Sequence, residues 1–373
     1  AEYMGEGNVR LLLHKMKAFS LQSLLLIFAI FLLLTRQSTA TKPHLVRYRF
    51  PGLYPKGLAY DPFSDHFVVA SNRQPILVYV SDAGVADTLV HDTTLPPNSS
   101  FQGIAFDKLR RRILVTVQSI PPSRPYSALA AYDHKSLRRV FLSSLPIEPG
   151  SAPTASAVAV DSIGNYFVTN SNENYIWKVG VDGKESSVWS KSPLFSKYVG
   201  EKMDCTSCGL SGVVHVNLGY LLVVQSNTGK LFKVNSENGV AREVPINKNL
   251  SGARGLALRS DGVLLVVSEK VWFVKSSDSW GEGIVYDETA LDEKELATAI
   301  VVGGDRRVYV AYSDSGGGES RREWFDIEQV QSAVEGEDER IWIYVVIGLG
   351  LAYFMIWRFQ MRRLVSGLDK KIN

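Results

Sequence analysis

From 212 to 234 the chain alternates short apolar runs with polar breaks: Gly-Val-Val-His-Val, Asn-Leu-Gly, Tyr-Leu-Leu-Val-Val, Gln-Ser-Asn-Thr-Gly-Lys, Leu-Phe-Lys-Val. Runs this short, bounded by Gly, Asn, Ser and Thr, read as three strands joined by two turns rather than as a helix. The same unit, a strand opening on Gly or Ala followed by a turn and a Val/Leu-rich strand, starts at Gly57, Gly103, Ala157, Gly212, Gly255 and Ala299. Successive starts are 46, 54, 55, 43 and 44 residues apart, the period of a four-stranded propeller blade. The pattern predicts an all-β, six-bladed β-propeller. The two longest intervals carry insertions, a Pro-rich loop at 120–126 and a segment at 192–209.

Blade three shows strands at 158–160, 166–169, 175–181 and 186–189, with a Val181-Asp182-Gly183 turn. Blade six supplies only three, at 300–302, 308–312 and 324–327. An alternating strand at 45–50, ahead of the first repeat, provides the fourth. Such a clasp joins the two ends of the ring and removes the open edges that invite aggregation.

Two apolar stretches lie outside the repeats. The first, 19–34, follows Lys15 and Lys17 and precedes Ser38-Thr39-Ala40, the order of a secretory signal cleaved after Ala40; an uncleaved signal anchor is the alternative. Met16 reads as the natural start, with 1–15 as upstream translation. The second, 341–357, is 17 residues without a charge between Arg340 and Arg358. As a helix it spans roughly 25 Å, close to the thin endoplasmic reticulum bilayer of about 27 Å. Arg358, Arg362, Arg363, Lys370 and Lys371 all follow it, which orients the tail to the cytosol and the propeller to the lumen. Gly348 and Ala352 form a small-xxx-small pair at which two spans could approach. Lys370-Lys371-Ile372-Asn373 matches a dilysine retrieval signal, an address for a cytosolic receptor. The plan is 1–40 upstream residues and signal, 41–327 propeller, 328–340 acidic stalk, 341–357 transmembrane helix and 358–373 cytosolic tail.

A 45% hydrophobic chain of 373 residues suits one large domain plus membrane segments. Its net charge of +3, with no basic run on the repeats, gives nucleic-acid binding no support. The only cysteines, Cys205 and Cys208, read in an oxidising lumen as a local disulfide pinning the long insertion, and their spacing also fits a redox dithiol. Sequons at Asn98 and Asn249 fall in inter-strand loops of the lumenal part, as glycosylation requires.

In a propeller the residue before each inner strand approaches the channel mouth. Here these are Lys56, Gln102, Ser156, Ser211, Arg254 and Thr298, with no carboxylate among them. A hard cation needs oxygen ligands with Asp or Glu among them, so charge predicts an anion or a polar neutral ligand instead. The segments 158–169, 212–224 and 255–266 resemble blades of the gluconolactonase, regucalcin and strictosidine synthase superfamily, including its NHL-repeat-like members. The resemblance covers 45–327 and implies a metal-dependent lactonase or esterase using Ca or Zn, held by a Glu, two Asn and an Asp. The matching positions here are Lys56, Ser156, Ser211 and Arg254. All four ligands are replaced, so no metal site is expected.

Other groupings carry less. His215 invites the role of general base but has no evident nucleophile beyond Ser211, and reads as a hydrogen-bonded strand histidine. Asp133 and His134 fall at a turn and read as a solvated loop. Tyr175, Trp177, Trp189 and Trp272 read as packing between blades, and Gly281-Glu282-Gly283 as a turn. The resulting reading is a type I, single-pass glycoprotein of the endoplasmic reticulum membrane whose degenerate, cofactor-free propeller binds a lumenal protein partner. Two rivals stand beside it: an ester or lactone hydrolase built on Ser156, Ser211, His215 and Arg254, and a sensor of an anionic metabolite.

Overall fold

The computed structural model describes residues 43–121, 123–148, 150–196, 209–292, 295–304, 306–313 and 322–372, with the side chains of 336–344 and 364–372 outside the description. The stretch at 19–34, Ala40, and the Cys205 and Cys208 pair lie outside the described residues. Two compact units divide the chain: 43–333, and a second that holds the residues from 334 on.

The first unit is six four-stranded antiparallel sheets. The chain enters through β1 (Leu45–Arg49) and then builds blade one from β2 (Pro55–Asp61), β3 (His66–Ser71), β4 (Ile76–Val80) and β5 (Ala86–His91). Blade two is β6 (Ser99–Asp107), β7 (Arg112–Ser119), β8 (Ser127–Asp133) and β9 (Arg139–Ser144); blade three is β10 (Ala155–Val160), β11 (Tyr166–Asn170), β12 (Ile176–Val179) and β13 (Ser186–Ser190). Blade four is β14 (Leu210–Val216), β15 (Tyr220–Gln225), β16 (Leu231–Asn235) and β17 (Ala241–Val244); blade five is β18 (Gly255–Leu258), β19 (Leu264–Val267), β20 (Lys270–Lys275) and β21 (Ile284–Ala290). Blade six has β22 (Leu296–Val302), β23 (Val308–Ser313) and β24 (Trp324–Val330), and β1 pairs with β24 as its outer strand, Leu45 opposite Glu328 and Arg49 opposite Trp324. The expected clasp is present. Inner strands touch in sequence around the ring, with β22 returning to β2.

The core lies between blades. Second strands such as β11, β15 and β23 are buried along their whole length, which is why they read as unbroken apolar runs. At the closure Val46, Tyr48 and Phe325 of blade six pack on Phe67, Val69 and Val78 of blade one. β1 alternates strictly, with Val46 and Tyr48 inward and Leu45, Arg47 and Arg49 outward. Its arginines pair with Asp326 at 2.8 Å and Glu323 at 2.7 Å.

The glycines that open the repeats have a steric cause. A Cβ on Gly57 would collide with the carbonyl oxygen of Gln102, and one on Gly103 with that of Ser156. Inner strands converge on the axis, and backbone meets backbone there. Gly57→Ala is expected to lower stability by about 1–3 kcal/mol, as overpacking does. Chemical denaturation would show this as a lower midpoint at unchanged slope.

Some boundaries differ from the sequence reading. β24 runs to Val330, past the expected propeller end at 327, because Gln329 is buried and its Oε1 accepts the His44 N–H at 3.2 Å. Much of the expected acidic stalk is instead the start of a 40-residue helix, α1 (Ala333–Ile372). Among the described residues no helix is long and apolar enough to cross a membrane. The described side chains of the uncharged run in α1 are those of 345–357, among them the exposed Val346, Leu349 and Met355. Lys370 and Lys371 fall in the last turn of α1, and their side chains are outside the description. Asn98 and Asn249 are both exposed in loops leading into inner strands; Asn98 donates to Ser123 Oγ at 3.0 Å and Asn249 Oδ1 accepts from Ser251 Oγ at 2.8 Å.

Candidate functional site: the channel mouth

Five of the six inner strands break register at their first residues: between Pro55 and Gly57, Phe101 and Ile104, Ala155 and Val158, Leu210 and Gly212, and Ala297 and Ala299. A bulge inserts an unpaired residue and re-aims its side chain. The residues at these breaks include Lys56, Gln102, Ser156, Ser211 and Thr298. In blade five Arg254 precedes β18, held by its N–H on Val267 O at 2.8 Å. All six line one cavity on the ring axis. A second cavity of about 100 Å³ shares Lys56, Gln102, Ser156, Ser211 and Arg254 and adds Thr154, Ser171 and Ser226. That volume accommodates several waters or one small polyatomic anion.

The hydroxyls are committed to the ring. Ser156 Oγ donates to Ser211 O at 3.1 Å, Ser211 Oγ to Ala253 O at 2.8 Å and Thr298 Oγ1 to Ala311 O at 3.2 Å. Thr116, on β7, donates to Ser156 O at 2.8 Å. Gln102 Nε2 donates to Ser100 Oγ at 3.0 Å. The bonds of Thr116, Ser156 and Ser211 cross from blade to blade, and those of Gln102 and Thr298 stay within their own blades.

The two cations are different. Neither the Lys56 ammonium nor the Arg254 guanidinium has a side-chain hydrogen bond or ion pair among the described residues. Burial pushes the Lys56 pKa down, and the positive field of Arg254 pushes it further the same way. Arg254 is also lowered by burial, with the Glu269 carboxylate opposing. Two half-buried, mutually repelling cations at a small cavity, with only the field of Glu269 on Arg254 opposing, favour a bound anion.

The donors do not fit a divalent metal. Lys56 and Arg254 oppose one, and Ser156 and Ser211 spend their protons on backbone carbonyls. No group of three potential metal-ligating side chains occurs among the described residues. Nor do Ser211 and His215 meet: four residues along β14 separate their backbones by about 13 Å. The half-buried His215 imidazole is held below its ordinary pKa by burial, against the field of Asp161. Contrary to the sequence reading, its ring makes no hydrogen bond among the described residues.

His134 also departs from expectation. It is not solvated: its Nε2 lies 2.7 Å from Asp61 Oδ2, with side-chain exposures of 13% and 7%, and its ring packs on Phe63. The bond ties blade two to blade one. Asp61 and Asp107 end their inner strands and Asp161 directly follows the next, and they accept turn amides of Phe63, Arg110 and Gly164. The recurring Ala-x-Asp at 59–61, 105–107 and 159–161 was the available signal. Trp177 is fully buried, its Nε1 donating to Pro146 O at 3.0 Å, as packing requires.

No family model matches the chain, and no curated protein matches it in sequence. Solved structures share the fold. The major Malassezia sympodialis allergen Mala s 1 superposes with a TM-score of 0.66 at 16% identity, over 78% of this chain and 97% of that one. A streptogramin B lyase gives 0.52 at 11% identity, over 77% and 98%. A glucose dehydrogenase gives 0.51 at 11% identity, over 77% and 99%. The gluconolactonase-like resemblance holds at the level of a six-bladed propeller. At these identities the fold is shared and activity does not follow from it.

Proposed function

We propose that this protein is a non-catalytic binding propeller of the endoplasmic reticulum lumen, anchored by one membrane span, whose channel mouth takes an anionic ligand. The observation that carries the ligand class is the pair Lys56 and Arg254 around the axial cavity, neither with a side-chain hydrogen bond or ion pair among the described residues. Among the described residues the lactonase alternative lacks a carboxylate donor set, and Ser211 is out of reach of His215. A lumenal protein partner is accommodated by the loops around the mouth, and the anion is the small-molecule side of the same platform.

The anchor rests on 341–357, bordered by Arg340 and Arg358. The whole run lies within α1, and its 17 residues cover about 25 Å of helix. Cations follow the run, and Lys370 and Lys371 supply the retrieval signal read by a cytosolic receptor. Asn98 and Asn249 carry glycans in this topology.

Calorimetric titration of the full-length protein with inorganic phosphate, sulfate and pyrophosphate tests the ligand class. At least one is expected to bind. Lys56→Met or Arg254→Leu then weakens binding by roughly 10- to 100-fold, the worth of one hydrogen bond to a charged group. Binding needs the protonated ammonium, and Lys56 loses its proton at lower pH than an ordinary lysine. Affinity therefore falls as pH rises in the alkaline range, and Lys56→Arg, which keeps its charge, extends binding upward in pH. No binding by any of the three anions would overturn the anionic-ligand reading, and ester turnover abolished by chelation would return the protein to the hydrolase class.

A further inference from the structure

The two ends of the propeller differ. In an up-and-down blade the turns between first and second strands, and between third and fourth, share the end away from the mouth. Leu109, Ile163 and Leu218 occupy the first of these turns in blades two, three and four, with exposures of 75%, 73% and 72%. Val85, Val181 and Val240 occupy the second in blades one, three and four, also exposed. Of the ten exposed large hydrophobics among the described residues of 43–333, only Trp324 lies at the mouth end. Single exposed aliphatics are ordinary on a protein surface. Their recurrence at equivalent turns of consecutive blades, with so little at the other end, is not.

The turns are neighbours: Arg110 Nη2 donates to Ile163 O at 2.7 Å, and Arg112 Nη1 to Val181 O at 2.7 Å. Lys108 and Arg111 stand exposed on either side of the Leu109 turn. The propeller's entry and exit both lie at this end of the ring. β24 finishes with Val330 opposite Val308, beside the β22–β23 turn, and Gln329 N–H bonds the carbonyl of His44 just ahead of β1. Only residues 331–340 separate the end of β24 from the uncharged run, two residues ahead of α1 and then its first eight, about 12 Å of helix. Both sequons are at the opposite, mouth end.

We infer that this end of the propeller rests on the lipid bilayer, the aliphatic turn tips entering the headgroup boundary and Lys108 and Arg111 meeting lipid phosphates. The inference rests on the membrane anchor proposed above. Side chains that tip into the interface add apolar burial and charge attraction to the anchoring of the span. They would also fix the ring with its mouth facing away from the membrane, open to lumenal ligands.

The test is photolabelling of the full-length protein reconstituted in vesicles, using a phospholipid with a carbene-generating diazirine near the headgroup, and mapping of labelled peptides. Label is expected in peptides holding Leu109, Ile163 and Leu218 and in 341–357, and not in those holding Asn98 and Asn249. The exposed triple variant Leu109→Asp, Ile163→Asp, Leu218→Asp loses the turn label and keeps that of 341–357. Label confined to 341–357 would overturn the inference while leaving the anchor standing, and would assign the aliphatic end to a protein partner. No label in 341–357 would remove the anchor, and the inference with it.

Discussion

Tyr48→Ala is expected to destabilise the propeller by about 3–5 kcal/mol, the range for deleting a buried aromatic ring, whereas Tyr48→Phe leaves stability unchanged or raises it by about 1 kcal/mol. The ring of Tyr48 is 1% exposed and packs 5.9 Å from Phe325 within the cluster that joins blades six and one. Its hydroxyl is buried without a hydrogen-bond partner among the described residues, so the phenylalanine variant relieves a desolvation cost and keeps the packing. Urea unfolding of the three proteins settles the pair. A loss above about 1.5 kcal/mol for Tyr48→Phe would mean that the hydroxyl has a partner.

The second large effect is at Asp92, just beyond β5 and 8% exposed. Its carboxylate accepts from Thr94 N at 3.0 Å, Thr94 Oγ1 at 2.6 Å, Tyr132 Oη at 2.8 Å and Arg139 Nη1 at 2.7 Å, which joins blade one to β8 and β9 of blade two. Removing it leaves a buried phenol and a guanidinium without their acceptor. Asp92→Ala is therefore expected to cost about 3 kcal/mol. Burial alone would raise the carboxyl pKa, but the bonds from Thr94, Tyr132 and Arg139 outweigh it and hold the pKa below the ordinary value. A depressed folded-state pKa stabilises above the unfolded value of about 3.9 and loses that contribution as pH falls through the folded one. The stability gap between wild type and Asp92→Asn should be constant near neutrality and shrink below about pH 4. A gap that does not change with acid would mean that Asp92 acts by shape alone.

The sequence displayed the blades because sandwiched strands must be apolar throughout and because glycine is required where inner strands converge, as at Gly57 and Gly103. It displayed the clasp because blade six lacked one strand. The bulges were not legible: a one-residue slip at Lys56 or Ser211 leaves no compositional trace, although it aims those side chains at the axis. Nor was it visible that Lys56 and Arg254 make no side-chain hydrogen bond or ion pair among the described residues, since that depends on what the fold places around them. His134 was misread because its partner, Asp61, lies 73 residues away in the chain. The acidic residues 335–339 suggested a stalk, but Ala333, Glu335 and Arg340 are good helix formers, and an early glutamate favours a helix start.

The clasp also orders events in time. Leu45 finds its partner Glu328 across 283 residues, so the first strand to leave the ribosome is completed by the last. At about 5–20 residues per second, synthesis alone holds that interval open for on the order of 15–60 s. Until then Val46 and Tyr48 lack the blade-six strand and cluster that bury them in the folded ring, and an unpaired strand edge is one that can take wrong partners. Ring closure is therefore the last event of folding: blade six stays one strand short until β24 is made, and the seam between blades six and one forms only then.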